Sequence, residues 1–299
     1  MIVFVMLVGP GEADIAIDSL TWALRLYPGA TAWVREDRTS DGTREKLEKF
    51  AAGFPGCVHL ESNLTSQGYL GIAVSMFRLY ETLIIRFPQL EMAIQLDPDA
   101  CLLREGVVDL ARERFATHGP GMIGAYMFSP TGAARNHRSW RNKFIKDLSP
   151  IGRDLKTNKL RFGFPFYTKH LLKALKYHYK LGHHVLSSFY ILHGDTIRAL
   201  KESGFWAAMP EAGSRQIKGD DPLLSLGTFA AGHKLIEIND HSNGAIQTWI
   251  QFRPPIPLSA REIVDRRLIA IHPVKSDKDG IALRTEVRSL LGQVPSSRS

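Results

Sequence analysis

The first 126 residues alternate short apolar runs rich in β-branched residues with amphipathic segments of helical period, and nothing else in the chain narrows its fold as much. Ile2 to Val8 is an unbroken apolar run, and Gly9-Pro10-Gly11 interrupts it. Ile15, Ile17, Leu20, Ala23, Leu24 and Leu26 then recur at helical spacing, with Asp14 near the start and Pro28-Gly29 at the end. Thr31 to Val34 reads as a strand running into Arg35-Glu36-Asp37, and Thr43 to Ala52 as a charged helix. Val58 to Leu60 reads as a strand, the stretch from about Tyr69 to Phe87 as a long amphipathic helix, and Met92 to Leu96 and Met122 to Tyr126 as two more strands. This order predicts an α/β fold with a mainly parallel central sheet flanked by helices. Such sheets bind ligands at the carboxyl ends of their strands. The polar residues expected there are Gly9, Asp37, Asp97 and Asp99.

The second half is less regular. Residues 130–165 are basic and interrupted by Gly and Pro; Leu171 to Leu181 reads as a basic helix, and Gly194 to Leu200 as a turn entering a helix. Ala230 to Ile238 reads as a helix end, a Gly turn and a strand, and Arg253 to Pro257 as extended. With 299 residues, 44% of them hydrophobic and 23% charged, the chain can bury a sizeable core. Its two cysteines, Cys57 and Cys101, lie in or beside apolar stretches and have no zinc spacing, so both are expected as buried thiols in a reducing compartment. The opening apolar run is shorter than the roughly 20 residues a bilayer requires. It also lacks a basic leader, which makes it a first strand and the protein cytoplasmic, with a peripheral membrane contact left open. The net charge is +8, concentrated between Arg135 and Lys180 and towards the C-terminus. That favours phosphates, acidic glycans, nucleic acid or an anionic membrane face without choosing among them.

The chemistry concentrates at Asp97-Pro98-Asp99, which follows directly on the apolar run Met92 to Leu96; apolar residues resume at Ala100. Two carboxylates at the end of a buried strand are costly unless something neutralises them. Magnesium or manganese would do so, because both accept oxygen ligands and leave positions for phosphates. A bare Asp-x-Asp also suits a surface turn.

A strand followed by Asp-x-Asp at this depth resembles the metal motif of the GT-A glycosyltransferases, with their Rossmann-like fold. The resemblance implies a nucleotide-sugar-binding half over residues 1–126 and an acceptor-side C-terminal lobe over 127–299. It also implies a divalent cation (Mn2+ or Mg2+) held by Asp97 and Asp99 against the ribose and diphosphate of a UDP- or GDP-sugar. Lys218-Gly219-Asp220-Asp221-Pro222-Leu223-Leu224-Ser225 is similar to the family's acidic motif, with Asp220 where Glu is usual. By that resemblance Asp221 would meet the acceptor hydroxyl as general base. An N-cap role for Asp220 or Asp221 is compatible with this. His272, in Ala270-Ile271-His272-Pro273-Val274-Lys275, resembles the family's late metal-binding histidine, with Lys275 placed to meet the diphosphate. His241 competes for the histidine role. Gly9, Asp37 and Gly68 lie where the family contacts nucleotide and phosphate. Tyr190 to Asp195 looks like the glycine-containing loop before the acceptor-side helix.

Together these imply a metal-dependent glycosyltransferase moving a sugar to an acceptor hydroxyl of a glycan, lipid or small molecule, with inversion favoured and retention open. No nucleic-acid partner is expected. No Gly-x-x-x-x-Gly-Lys-Ser/Thr or Gly-x-Ser-x-Gly pattern occurs and no Gly-x-Gly-x-x-Gly follows the first strand, which counts against kinases, dehydrogenases and serine hydrolases. One rival is a nucleotidyltransferase making a nucleotide sugar, though Gly9-Pro10-Gly11-Glu12 lacks basic residues. Another is a non-catalytic basic protein binding nucleic acid or a membrane surface. The mixed basic and aromatic run from Arg135 to Lys143 fits either an acceptor-binding lid or a solvated face, and His183-His184 reads as structural or surface.

Overall fold

A computed structural model of the chain describes residues 1–67, 71–128, 134–147, 164–207, 220–239, 246–248 and 258–293. In chain order the strands are β1 (Ile2–Val8), β2 (Thr31–Glu36), β3 (Val58–Ser62), β4 (Met92–Leu96), β5 (Cys101–Leu102), β6 (Gly121–Gly124), β7 (Phe189–His193), β8 (Lys234–Glu237), β9 (Ile246–Thr248) and β10 (Ala270–His272). The helices are α1 (Ala13–Leu26), α2 (Thr43–Ala52), α3 (Ile72–Arg86), α4 (Val107–His118), α5 (Arg138–Asp147), α6 (Phe164–Leu175), α7 (Gly194–Glu202), α8 (Asp220–Ala230), α9 (Ala260–Asp265) and α10 (Lys278–Gln293).

Seven strands form one sheet in the order β3-β2-β1-β4-β7-β6-β8, and β5-β10-β9 form a second. In the large sheet β7 runs antiparallel to both β4 and β6, and the other neighbours pair in parallel. The pattern follows from the sequence. β1 is flanked by parallel strands on both edges and covered on both faces, so nearly every residue in it is apolar. Its alternation sorts the core: Val3 and Val5 join the cluster under α3 and α8, while Phe4, Met6 and Val8 join the one under α1 and α4. A third cluster, including Leu103, Ile263, Ile271, Leu283 and Val287, lies between the small sheet and the last two helices.

Several expectations shift. β2 continues through Arg35 to Glu36, because the Arg35 guanidinium, though buried, donates to Glu61 on the paired strand at 2.8 Å. The expected start of the long helix, including Gly68, lies outside the described residues. The basic helix ends at Leu175 and does not reach Leu181. There the Tyr179 N–H returns to the Ala174 carbonyl at 3.2 Å while His178 takes a left-handed φ of 64°, an ending that the following lysines cannot override. The segment read as a glycine-containing loop is mostly strand β7, and Cys57 is exposed whereas Cys101 is buried. Among the described residues no helix is long and apolar enough to cross a membrane.

The turn out of β7 requires a glycine. A Cβ on Gly194 would lie 1.9 Å from the Leu90 carbonyl oxygen, while the Gly194 N–H donates to the Glu91 carbonyl at 2.7 Å. Gly194→Ala must therefore displace either α7 or the lead into β4. A loss of about 2 kcal/mol in unfolding free energy is expected in urea denaturation. A variant as stable as the wild type would contradict the close approach.

Candidate functional site

β4 ends in a tight turn. The Ala100 N–H donates to the Asp97 carbonyl at 2.9 Å, with Pro98 at the second turn position where its fixed φ belongs. The Asp97 N–H donates to the Ser188 carbonyl at 3.1 Å, and the Gln95 side chain donates to Asp97 Oδ1 at 2.7 Å, so the turn and its first carboxylate are both oriented. β5 then pairs antiparallel with β10, Cys101 opposite Ile271, which brings the residues after β10 beside the turn. The Val274 N–H closes the contact on the Asp99 carbonyl at 2.9 Å.

This register brings together four of the expected residues. His272 Nε2 lies 3.0 Å from Asp99 Oδ1 and 3.6 Å from Asp97 Oδ2, and the Lys275 ammonium pairs with the other oxygen of Asp99. Burial pushes the Asp99 carboxyl up, but His272 and Lys275 outweigh it and hold the group well below the usual carboxylate range. Asp97, Asp99 and His272 each offer a ligand atom, all within 4.8 Å of one another. Two carboxylate oxygens and an imidazole nitrogen could together hold a divalent cation. Among the described residues His272 Nδ1 is buried without a hydrogen-bond partner, and Nε2 is the ring atom facing the carboxylates.

The other expected residues are placed differently. The Gly9 N–H is already taken by Glu12 Oε2 at 2.9 Å, and the Gly11 N–H by Asp41 Oδ2 at 2.5 Å. Asp37 accepts from Asn63 Nδ2 at 2.8 Å, Ser66 Oγ at 2.8 Å and the Gln67 N–H at 2.7 Å, which makes it the organiser of the loop after β3. Gly68, His241, Lys218 and Gly219 lie outside the described residues, and of Asp220 only the backbone is described, at the start of α8.

Asp221 is buried in the first turn of α8, with Oδ2 3.8 Å from His184 Nε2. Arg135 Nη2 lies 3.2 Å from the same ring nitrogen. A guanidinium only donates, so His184 Nε2 accepts and Nδ1–H donates to the Gly182 carbonyl at 2.8 Å. Arg135 Nη1 also reaches the carbonyls of Ala125, at 2.5 Å, and of His184, at 2.9 Å. Burial lowers Arg135 to about 10, opposed by the negative charges of Asp221 and Glu237. Glu237, at the end of β8, accepts the N–H groups of Tyr126, Met127 and Phe128 and so fixes the chain after β6. The basic run therefore divides: Arg135 turns inward, whereas Arg138, Arg141 and Lys143 are exposed, and Lys143 covers the Trp140 ring at 3.9 Å. The segment from His184 to Ser188 passes from the Asp221 cluster to the acidic turn, tying both to one edge of the sheet.

Sequence reading missed His184, Glu237, Ser19 and Arg284 as contributors. His184 carried only the negative signal of a histidine pair without metal spacing, and the others had no local signal.

No protein-family model and no curated protein matches the chain. Solved structures do. The chain superimposes on an active-site mutant of the glycosyltransferase LgtC with a TM-score of 0.50 and 11% identity, covering 98% of both chains. The chain has the GT-A glycosyltransferase fold. Weaker GT-A likenesses are to TarS of S. aureus (TM-score 0.47, 12% identity, 81% of this chain) and to the mannosyltransferase PcManGT from Pyrobaculum calidifontis in complex with GDP-Man and Mn2+ (TM-score 0.39, 12% identity, 79% of this chain). The chain spans 35% of the TarS chain and 56% of the PcManGT chain.

Three buried histidines make the GT-A fold acid-sensitive. Burial first, then nearby cations, lowers His137 to about 4, His170 to about 4 and His184 to about 3. An unfolded histidine titrates near 6.5, so below that pH the unfolded chain binds protons that the folded chain refuses. Stability is then highest above about pH 6.5 and falls as pH drops towards 4, by about 1.4 kcal/mol per pH unit for each such group. Urea unfolding at pH 7 and pH 5 should give a lower free energy at pH 5, and His184→Gln a shallower slope. Equal stability at both values would contradict burial of the neutral rings.

Proposed function

We propose that the protein is a glycosyltransferase that moves a sugar from a nucleoside-diphosphate sugar to an acceptor hydroxyl, using a divalent cation. The observation that carries this reading is the convergence of Asp97, Asp99 and His272 within 4.8 Å at the carboxyl end of β4, on a GT-A fold. Bound there, a cation would offset the charge that develops on the departing nucleoside diphosphate.

The chain's own residues supply the rest. Asp97 and Asp99 would hold the cation, kept in place by the turn and by Gln95. Lys275 is bound to Asp99 through a long and partly exposed side chain, so its ammonium can pass from carboxylate to diphosphate when a cation takes over Asp99. Asp221, whose carboxylate interacts electrostatically with the Arg135 guanidinium, would take the proton of the attacking hydroxyl, which fits inversion. His184 is excluded as the base, because its accepting nitrogen is committed to Arg135. The nucleotidyltransferase alternative loses support in the loop after β1, whose N–H groups at Gly9 and Gly11 are taken by carboxylates and so are withheld from a triphosphate.

Calorimetric titration with UDP and with GDP, each with and without Mn2+, tests the reading. Binding should need the metal and be lost in Asp99→Ala. Asp221→Asn should keep metal-dependent nucleotide binding while transfer falls by about 100-fold or more. Failure of both nucleotides to bind the wild type with metal present would overturn the proposal. Full transfer by Asp221→Asn would remove the base assignment alone.

A further inference from the structure

The C-terminal helix α10 reaches the candidate cation site through one side chain. Arg284 is buried, at 4% exposure, and donates from all three guanidinium nitrogens. Nε and Nη2 donate to the Val274 carbonyl at 3.3 and 3.0 Å. Nη1 donates to Asp18 Oδ2 at 2.7 Å and to Ser19 Oγ at 3.0 Å, both on α1. Ser19 Oγ in turn lies 2.8 Å from the carbonyls of Pro98 and of Ala100, inside the acidic turn. One guanidinium therefore grips the loop that carries His272 and Lys275 directly, and the turn that carries Asp97 and Asp99 by way of Ser19.

The helix has other anchors besides this arginine. Leu283 and Val287 seat α10 on the third core cluster, and Arg288 pairs separately with Asp18, at 2.8 Å through Nη2. A buried guanidinium is also an expensive way to attach a helix, because its desolvation has to be matched by several hydrogen bonds. A fixed distance between two backbone segments is what those bonds deliver. A second contact points the same way: a Cβ on Gly280 would lie 2.1 Å from the Lys275 carbonyl oxygen, so the first turn of α10 abuts the backbone of the same loop.

We infer that Arg284 is a positioning residue for the cation and diphosphate site, setting the separation between the Asp97–Asp99 turn and the His272–Lys275 loop without touching either ligand. Metal ligands have to be held to within about 0.5 Å, and loss of an outer support commonly weakens metal binding by 10–100-fold. The inference rests on the cation reading of the previous section, and the test separates the two.

Mn2+ is titrated into the full chain, and free Mn2+ is followed by electron paramagnetic resonance, with no nucleotide or turnover involved. Wild type, Arg284→Met, Arg284→Lys and Arg288→Met are compared, each with its thermal midpoint. Arg284→Met keeps the length and removes the donors, and should weaken Mn2+ binding about tenfold or more. Arg284→Lys should recover part of that loss. Arg288→Met loses the same partner, Asp18, but touches neither Val274 nor Ser19, and should bind Mn2+ within about twofold of wild type. Should Arg284→Met not fold, the Arg284→Lys and Arg288→Met pair decides by the same comparison. Wild-type affinity in the Arg284 variants, or losses that merely follow the thermal midpoint in both arginines, would overturn the positioning role and leave the cation site standing. A wild type that binds no Mn2+ would remove the site and this inference together.

Discussion

The hydrogen bond from the Val274 N–H to the Asp99 carbonyl joins the acidic turn at the end of β4 to the loop after β10. The turn follows β4 of the large sheet, and the histidine ends β10 of the small one. The β5–β10 pairing sets the register, and the backbone bond carries it one step beyond the strands. Inside this frame the electrostatics are complementary. His272 and Lys275 supply the positive partners that a buried Asp99 needs, and Lys275 is the partner that a cation could displace. A site that is satisfied without its ligand and exchanges partners when the ligand arrives avoids the cost of an uncompensated buried carboxylate.

Much of the first half was legible because each element there declares itself locally. β1, α1, α2 and β4 lie where the apolar periodicity puts them, and Asp97, Asp99, His272 and Lys275 do come together. The differences arise where particular hydrogen bonds and ion pairs, rather than the local pattern, decide. β2 extends because Glu61, from another strand, neutralises Arg35. α6 stops at Leu175 because the backbone closes on Ala174, although the residues beyond it are good helix formers. Gly9 looks like a phosphate contact in sequence, but Glu12 three positions on already occupies its N–H. Asp37 sits at a strand end as expected and spends its carboxylate on the neighbouring loop. Arg284 was unreadable, since its partner Ser19 lies 265 positions away.

The surroundings of Asp221 follow a different logic from those of Asp99. Here a half-buried arginine, a neutral histidine and Glu237 are tied to the surrounding backbone. Arg135 pins the carbonyls of Ala125 and His184, and Glu237 pins the amides of residues 126–128, so two chain segments beside Asp221 are held by opposite charges. The run from His184 to Ser188 links the Asp221 cluster to the acidic turn, since it ends on the Asp97 amide.

The way the small sheet is assembled also bears on when the site can exist. β1 with β2 and β2 with β3 pair between segments close in sequence, where closing the intervening loop costs less entropy than closing a longer one. β5 must instead wait for β10, whose arrival closes a loop spanning most of the intervening chain, and the contact of Ser19 with Arg284 closes a longer one still. Contacts of that range form slowly and late. The large sheet can thus be complete while the acidic turn still lacks its histidine, its lysine and its brace. The carboxylates of Asp97 and Asp99 take their histidine, their lysine and their brace from the segments of the chain most distant from them in sequence.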